Sequence, residues 1–216
     1  MRKIFMLAAL ISLITFTSSA QSSQPSDQSS KSSKSKIGIK VGYNYSNVFG
    51  GNSTLNPQHN DGYMISVFLA SANRNGLGYR SELVYSRQGY SFDNGGKNTE
   101  VKNDYLYMPH LMTFTIAKMV QIQAGGQIGI LLNAKASGSK DTSITGLMNR
   151  FDYGLAGGVE VYPVKGLIIG TRYNLGLGKI YRSYDASSST PYPLPFDPSA
   201  ANLKNGVLQF FVGYRF

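Results

Sequence analysis

Apolar and polar residues alternate one by one along most of this chain, in segments separated by turn chemistry. A period of two belongs to a β-strand with one apolar face, and no segment beyond residue 36 shows the helical period. The pattern predicts eight strands. The first runs from about Lys36 to Asn47, with Ile37, Ile39, Val41, Tyr43 and Tyr45 opposed to Lys40, Gly42, Asn44 and Ser46. The second has Tyr63, Ile65, Val67 and Leu69 on its apolar face, and the third, 77–90, sets Leu77, Tyr79, Leu83 and Tyr85 against Gly78, Arg80, Glu82 and Ser86. The fourth, 104–116, aligns Leu106, Met108, Met112 and Phe114 with His110 and carries Pro109, which lacks a ladder donor, so its facing stays open.

In the fifth, Val120, Ile122, Ala124, Ile128, Ile130 and Leu132 oppose Gln121, Gln123, Gly125, Gln127, Gly129 and Asn133. The sixth, 149–161, opposes Phe151, Tyr153, Leu155, Val159 and Val161 to Arg150, Asp152, Gly154, Ala156, Gly158 and Glu160. The seventh opposes Leu167, Ile169, Tyr173, Leu175 and Leu177 to Gly170, Arg172, Asn174 and Gly176, and the eighth opposes Leu208, Phe210, Val212, Tyr214 and Phe216 to Gln209, Gly213 and Arg215.

The connections alternate in length. They are long at 48–61, 91–103, 134–148 and 181–204, and short at 71–76, near Ala117 and Lys118, and at 163–166. This is the rhythm of an eight-stranded antiparallel up-and-down transmembrane β-barrel, short turns in the periplasm and long loops outside the cell. A soluble barrel would put its apolar face inward. Here one face holds Arg80, Glu82, Arg150, Asp152, Glu160, Arg172 and Arg215, and the opposite face is aromatic and aliphatic on nearly every strand. Exposed to water, that face would far exceed the apolar patch of an ordinary monomer.

The first residues add a destination. Arg2 and Lys3 precede an apolar run, Ile4 to Phe16, and then Thr17, Ser18, Ser19 and Ala20, the grammar of a cleavable signal peptide over 1–20. The run is shorter than the roughly 20 residues a spanning helix needs. Residues 21–36 lack apolar side chains except at Pro25 and read as a disordered periplasmic tether, leaving 37–216 for the barrel. The chain has no Cys, which excludes lipoprotein anchoring and disulfides. Its 24 Gly, 15 Tyr and 11 Phe suit strands with crowded interiors, and its formal charge of +10 suits anionic lipid or lipopolysaccharide rather than nucleic acid, given export.

Several short motifs carry a family likeness: Gly38-Ile-Lys-Val-Gly-Tyr-Asn, Ser81-Glu-Leu-Val-Tyr-Ser-Arg-Gln-Gly, Tyr105-Leu-Tyr-Met-Pro, Gly129-Ile-Leu-Leu-Asn-Ala-Lys, Arg172-Tyr-Asn-Leu-Gly-Leu and the terminal Phe211-Val-Gly-Tyr-Arg-Phe. Through them the chain resembles the PorT-like outer-membrane β-barrel domain family over about 37–216. The resemblance implies an eight-stranded barrel in the outer membrane; one member is associated with protein secretion, and most have no assigned activity. The family tract Tyr-Leu-Glu-Ile-Pro-Leu-Leu is changed here at Tyr107 and His110.

Candidate functional residues fall in three groups. The seven charged residues named above should project into the lumen and pair as a structural plug, since eight strands leave room for little but side chains. Leu208, Phe210, Val212, Tyr214 and Phe216 match a terminal signal for the barrel-assembly machinery. Tyr181, Tyr184, Tyr192 and Phe196, among Pro191, Pro193, Pro195 and Pro198, suit recognition on a stiffened loop or an interfacial aromatic belt. Only His59 and His110 could serve as a catalytic base, and no spacing singles out a nucleophile beside His59 and Asp61. No metal or phosphate-loop motif is present. The expected function is therefore a non-enzymatic, cofactor-free outer-membrane barrel acting in envelope structure, as an accessory to a secretion or envelope complex, or in surface binding. A narrow transport channel is the alternative, and a rim hydrolase or acyltransferase the third.

Overall fold

A computed structural model describes residues 35–50, 57–71, 75–94, 97–137, 142–182 and 202–216, all within one compact unit, Ser33–Phe216. The predicted signal peptide, nearly all of the tether, and Tyr184, Tyr192 and Phe196 lie outside these residues. The strands are β1 (Lys36–Gly50), β2 (Gln58–Ala70), β3 (Gly76–Asn94), β4 (Lys97–Ile116), β5 (Val120–Ser137), the two-residue β6 (Thr142–Ser143), β7 (Phe151–Val161), β8 (Leu167–Gly176) and β9 (Leu203–Arg215). All pair antiparallel. The sheet runs β4-β3-β2-β1-β9-β8-β7-β5, and a β4–β5 pairing closes the eight into a ring, with β6 appended to β5.

The alternation decides which way each strand faces. Along β1, Gly38, Lys40, Asn44, Ser46 and Val48 are buried while Ile37, Ile39, Val41, Tyr43 and Tyr45 are exposed, and the neighbouring strands repeat this. The apolar face is therefore outside and the polar face inside. On β4, the strand whose facing the sequence leaves open, Tyr105, Tyr107, Pro109 and Leu111 point inward, and His110 looks outward with Met112 and Phe114.

Several long side chains of the interior need space on the neighbouring strand. Glycine supplies it: Lys40 is the ladder partner of Gly213, Arg172 of Gly158 and Glu160 of Gly170. Gly129 faces Tyr107, and a Cβ there would lie 2.3 Å from the ring.

The short turns fall where the sequence places them. Between β4 and β5, Ala117 and Lys118 both have positive φ (49° and 62°), and Met119 N–H donates to the Ile116 carbonyl at 3.1 Å, a two-residue hairpin turn of the type that matches strand twist. The long connections differ from expectation. Much of 91–103 continues β3 and β4, and 134–148 holds the end of β5, β6 and a 3₁₀ turn at Thr145–Leu147. Their residues keep pairing beyond the apolar band because their inward side chains join the buried apolar cluster described below.

One irregularity changes facing. The β4–β5 register shifts between Asp104 and Tyr105, which pair with Asn133 and Leu131, so Leu132 is a bulged residue. Beyond it parity flips: Ala134 and Ala136 are buried, and Asn133, expected in the lumen, leaves the inward row.

Candidate functional site

The interior is layered along the barrel axis. Toward the short-turn end, β1, β3, β7 and β8 send Lys40, Arg80, Glu82, Glu160 and Arg172 to one centre, each no more than 2 % exposed. Lys40 Nζ donates to Glu82 Oε1 at 2.5 Å and to Glu160 Oε1 at 2.8 Å. Arg80 Nη1 donates to Glu160 Oε1 at 2.5 Å, and Arg172 Nη1 to Glu82 Oε2 at 2.9 Å. Three cations thus face two carboxylates. Aromatic faces offset the surplus: Lys40 Nζ sits 5.0 Å from the Phe68 ring centre and 4.6 Å from that of Phe211, and the Arg80 guanidinium lies 4.6 Å over Phe68. Neutral partners add to the shell, with Gln121 Oε1 accepting from Arg80, Gln209 Oε1 from Arg172, and the Tyr162 hydroxyl donating to Glu160.

From Arg172 a chain of amides and hydroxyls climbs the lumen. Gln209 Nε2 donates to Asn44 Oδ1, and the Nδ2 of Asn44 and the Nε2 of Gln88 both donate to Ser86 Oγ. Above it stands Asp152, 5 % exposed, accepting from the Tyr107 hydroxyl (2.6 Å), Asn205 Nδ2 (3.1 Å) and the Tyr153 N–H (2.9 Å). No ion pair among the described residues includes it.

Toward the long-connection end the interior is apolar. Tyr90, Phe92, Val101, Leu131, Ile144, Met148, Ile180, Tyr181 and Leu203 belong to one buried cluster, and the Tyr90 and Tyr181 hydroxyls hydrogen-bond at 2.5 Å.

Of the seven charged residues read from the sequence, Arg80, Glu82, Glu160 and Arg172 meet. Asp152 is inside but in a separate layer, held by neutral donors. Arg150 is not in the lumen: it is exposed at the bend before β7, where parity no longer holds. Arg215 lies half-exposed at the end of β9, its guanidinium 4.7 Å from the Tyr162 ring centre, outside the network. The residue missed is Lys40, at the hub. Its place on the polar face of β1 was visible, but its reach to β3 and β7 was not. Tyr181, read as a recognition residue, is instead buried, because the apolar cluster needs its ring and Tyr90 its hydroxyl. Among the terminal residues, Phe210, Val212, Tyr214 and Phe216 are exposed on the outer wall.

His59 stacks on Tyr45 with ring centres 4.5 Å apart, Asp61 accepts from the Tyr43 hydroxyl, and His110 Nδ1 is hydrogen-bonded to the Tyr79 hydroxyl on the outer wall. Among the described residues no group of three or more His, Cys, Asp or Glu could hold a metal.

Residues 19–182 match the outer membrane protein beta-barrel domain family. Among solved structures, Neisserial surface protein A is similar at 15% identity, covering 83% of this chain and 97% of its own, with a TM-score of 0.51. Ail of Yersinia pestis is 19% identical over 85% of this chain and 99% of its own, with a TM-score of 0.48. At 15% identity the likeness to Neisserial surface protein A concerns the fold. No curated protein matches the chain.

Proposed function

The chain belongs to the outer membrane protein beta-barrel domain family, and from that premise we propose that it is a non-enzymatic barrel with a plugged lumen, serving the envelope through its outer loops or as an accessory to a larger assembly. The observation that carries this reading is the Lys40–Glu82–Arg172 and Lys40–Glu160–Arg80 network, withdrawn from water inside the barrel toward its short-turn end. Charges held so closely oppose ion passage, because opening a path means breaking several short contacts and leaving the remaining charges uncompensated. The apolar cluster at the far end is a second barrier.

In this reading residues 1–20 direct export, 21–36 lie in the periplasm with both chain ends, and the long connections face outward, where lipopolysaccharide and surface ligands are met. The last strand supplies the signal for the assembly machinery, and the PorT-like resemblance makes a secretion complex the first partner to seek. Purified protein in planar bilayers tests the plug: no steady conductance is expected, and reproducible open-channel steps would overturn it in favour of a narrow transport channel.

A further inference from the structure

The outer face of β4 and β5 sets two lysines directly opposite one another. Lys102 and Lys135 are ladder partners and both are exposed, although like charges in that relation repel. The bulge at Leu132 is responsible, since without it the side chain at 135 would turn to the lumen. Glu100 lies 2.9 Å from Lys102, but no ion pair among the described residues includes Lys135. The same rim continues through Arg150, whose carbonyl accepts from Leu131 N–H at 2.8 Å, and Lys179, whose carbonyl accepts from Asn149 Nδ2 at 2.7 Å. Both are exposed. Immediately toward the short-turn end the wall becomes apolar, with Leu132 49 %, Phe151 66 % and Tyr153 55 % exposed.

We propose that this arc of Lys102, Lys135, Arg150 and Lys179 seats the phosphorylated headgroup of an outer-leaflet glycolipid, whose acyl chains run down the wall past Leu132, Phe151 and Tyr153. The proposal rests on the reading that the long connections lie outside the outer membrane. Two features select a lipid rather than a soluble anion. Lys102 and Lys135 stand on the outward side of the strand alternation, not on the lumen side, and the apolar side chains directly below the arc have no use for a free phosphate but match a molecule that joins phosphate to hydrocarbon. An anion between Lys102 and Lys135 also removes the repulsion that the register builds in.

The test uses the full mature chain refolded in phosphatidylcholine vesicles, with labelled bisphosphorylated lipid A, its dephosphorylated form, or phosphatidylglycerol added at low fraction. Binding of lipid A should exceed that of the other two, and the Lys102→Gln, Lys135→Gln double variant should lose it by roughly 30-fold, about fivefold for each cation. The double variant Lys118→Gln, Lys165→Gln, which removes the same charge at the short turns, should bind as the parent does. Equal loss in both double variants would overturn the site, as would undiminished binding of dephosphorylated lipid A. Displacement by an acyl-free bisphosphorylated disaccharide as effective as by lipid A would overturn the lipid assignment. Failure of the parent chain to enter the vesicles as a heat-modifiable barrel would defeat the membrane reading itself, and this proposal with it, whereas insertion without headgroup preference would defeat the site alone.

Discussion

Lys40 and Glu160 are separated by 120 positions in the chain, yet the Lys40 ammonium lies 2.8 Å from the Glu160 carboxylate and simultaneously 2.5 Å from that of Glu82. One side chain on β1 thus ties β3 to β7 across the lumen. Replacing it with Met keeps much of the volume and leaves Glu160 paired with Arg80 and Glu82 with Arg172, but it takes one charge-assisted hydrogen bond from each carboxylate. Lys40→Met is expected to destabilise the barrel by about 1.5 to 3 kcal/mol. Arg215→Met, outside the network, should change it by less than about 1 kcal/mol. Urea unfolding in detergent, followed by the electrophoretic shift between folded and unfolded barrel, reads both; equal effects would show that the network adds no stability.

Interior and exterior glycines should respond differently to the same methyl group. At Gly129 a Cβ would meet the Tyr107 ring at 2.3 Å, whereas at Gly126 it would meet nothing closer than the Gly154 carbonyl oxygen at 3.9 Å. Gly129→Ala is expected to cost about 1 to 3 kcal/mol, and Gly126→Ala to be neutral or slightly stabilising. The same unfolding assay separates them, and Tyr107→Leu should recover part of the loss at 129.

The Tyr90–Tyr181 hydroxyl pair anchors the start of the last long connection to β3. Tyr181→Phe removes this bond and should cost about 1 kcal/mol. The Tyr90→Phe, Tyr181→Phe double variant should cost less than the sum of the singles, a non-additivity that a double-mutant cycle measures directly.

Topology can be read with single cysteines, because the chain has none of its own. Lys179→Cys should react with a membrane-impermeant maleimide on intact cells, and Lys118→Cys only after the outer membrane is opened. The reverse pattern would invert the barrel.

Deleting Phe216, exposed at 65 % just past the terminal strand, should reduce folded barrel in the outer membrane while leaving export across the inner membrane unchanged. Undiminished folded protein, measured by the same electrophoretic shift in isolated membranes, would remove the terminal residues from any role in assembly.

How much of this was legible beforehand follows from the range of each interaction. Period-two alternation is a local property, and an apolar face such as Ile37, Ile39 and Val41 can be satisfied in only one way once the opposite face carries Lys40, Glu82 and Arg172. Strand number, direction, facing and short turns were therefore written in the order of residues. The pairing of Gly with long polar side chains was legible as composition, though not as partners. What parity cannot carry is an event that breaks it. The bulge at Leu132 turns Lys135 outward, the bend at Arg150 takes that side chain out of the lumen, and the packing of Tyr181 against Tyr90 takes an aromatic from the surface into a core. Lys40 marks the same boundary, for its place on the polar face follows from its neighbours in sequence. Its role as the hub is decided only when the ring closes and brings Glu82 and Glu160 from two distant strands within reach of one ammonium.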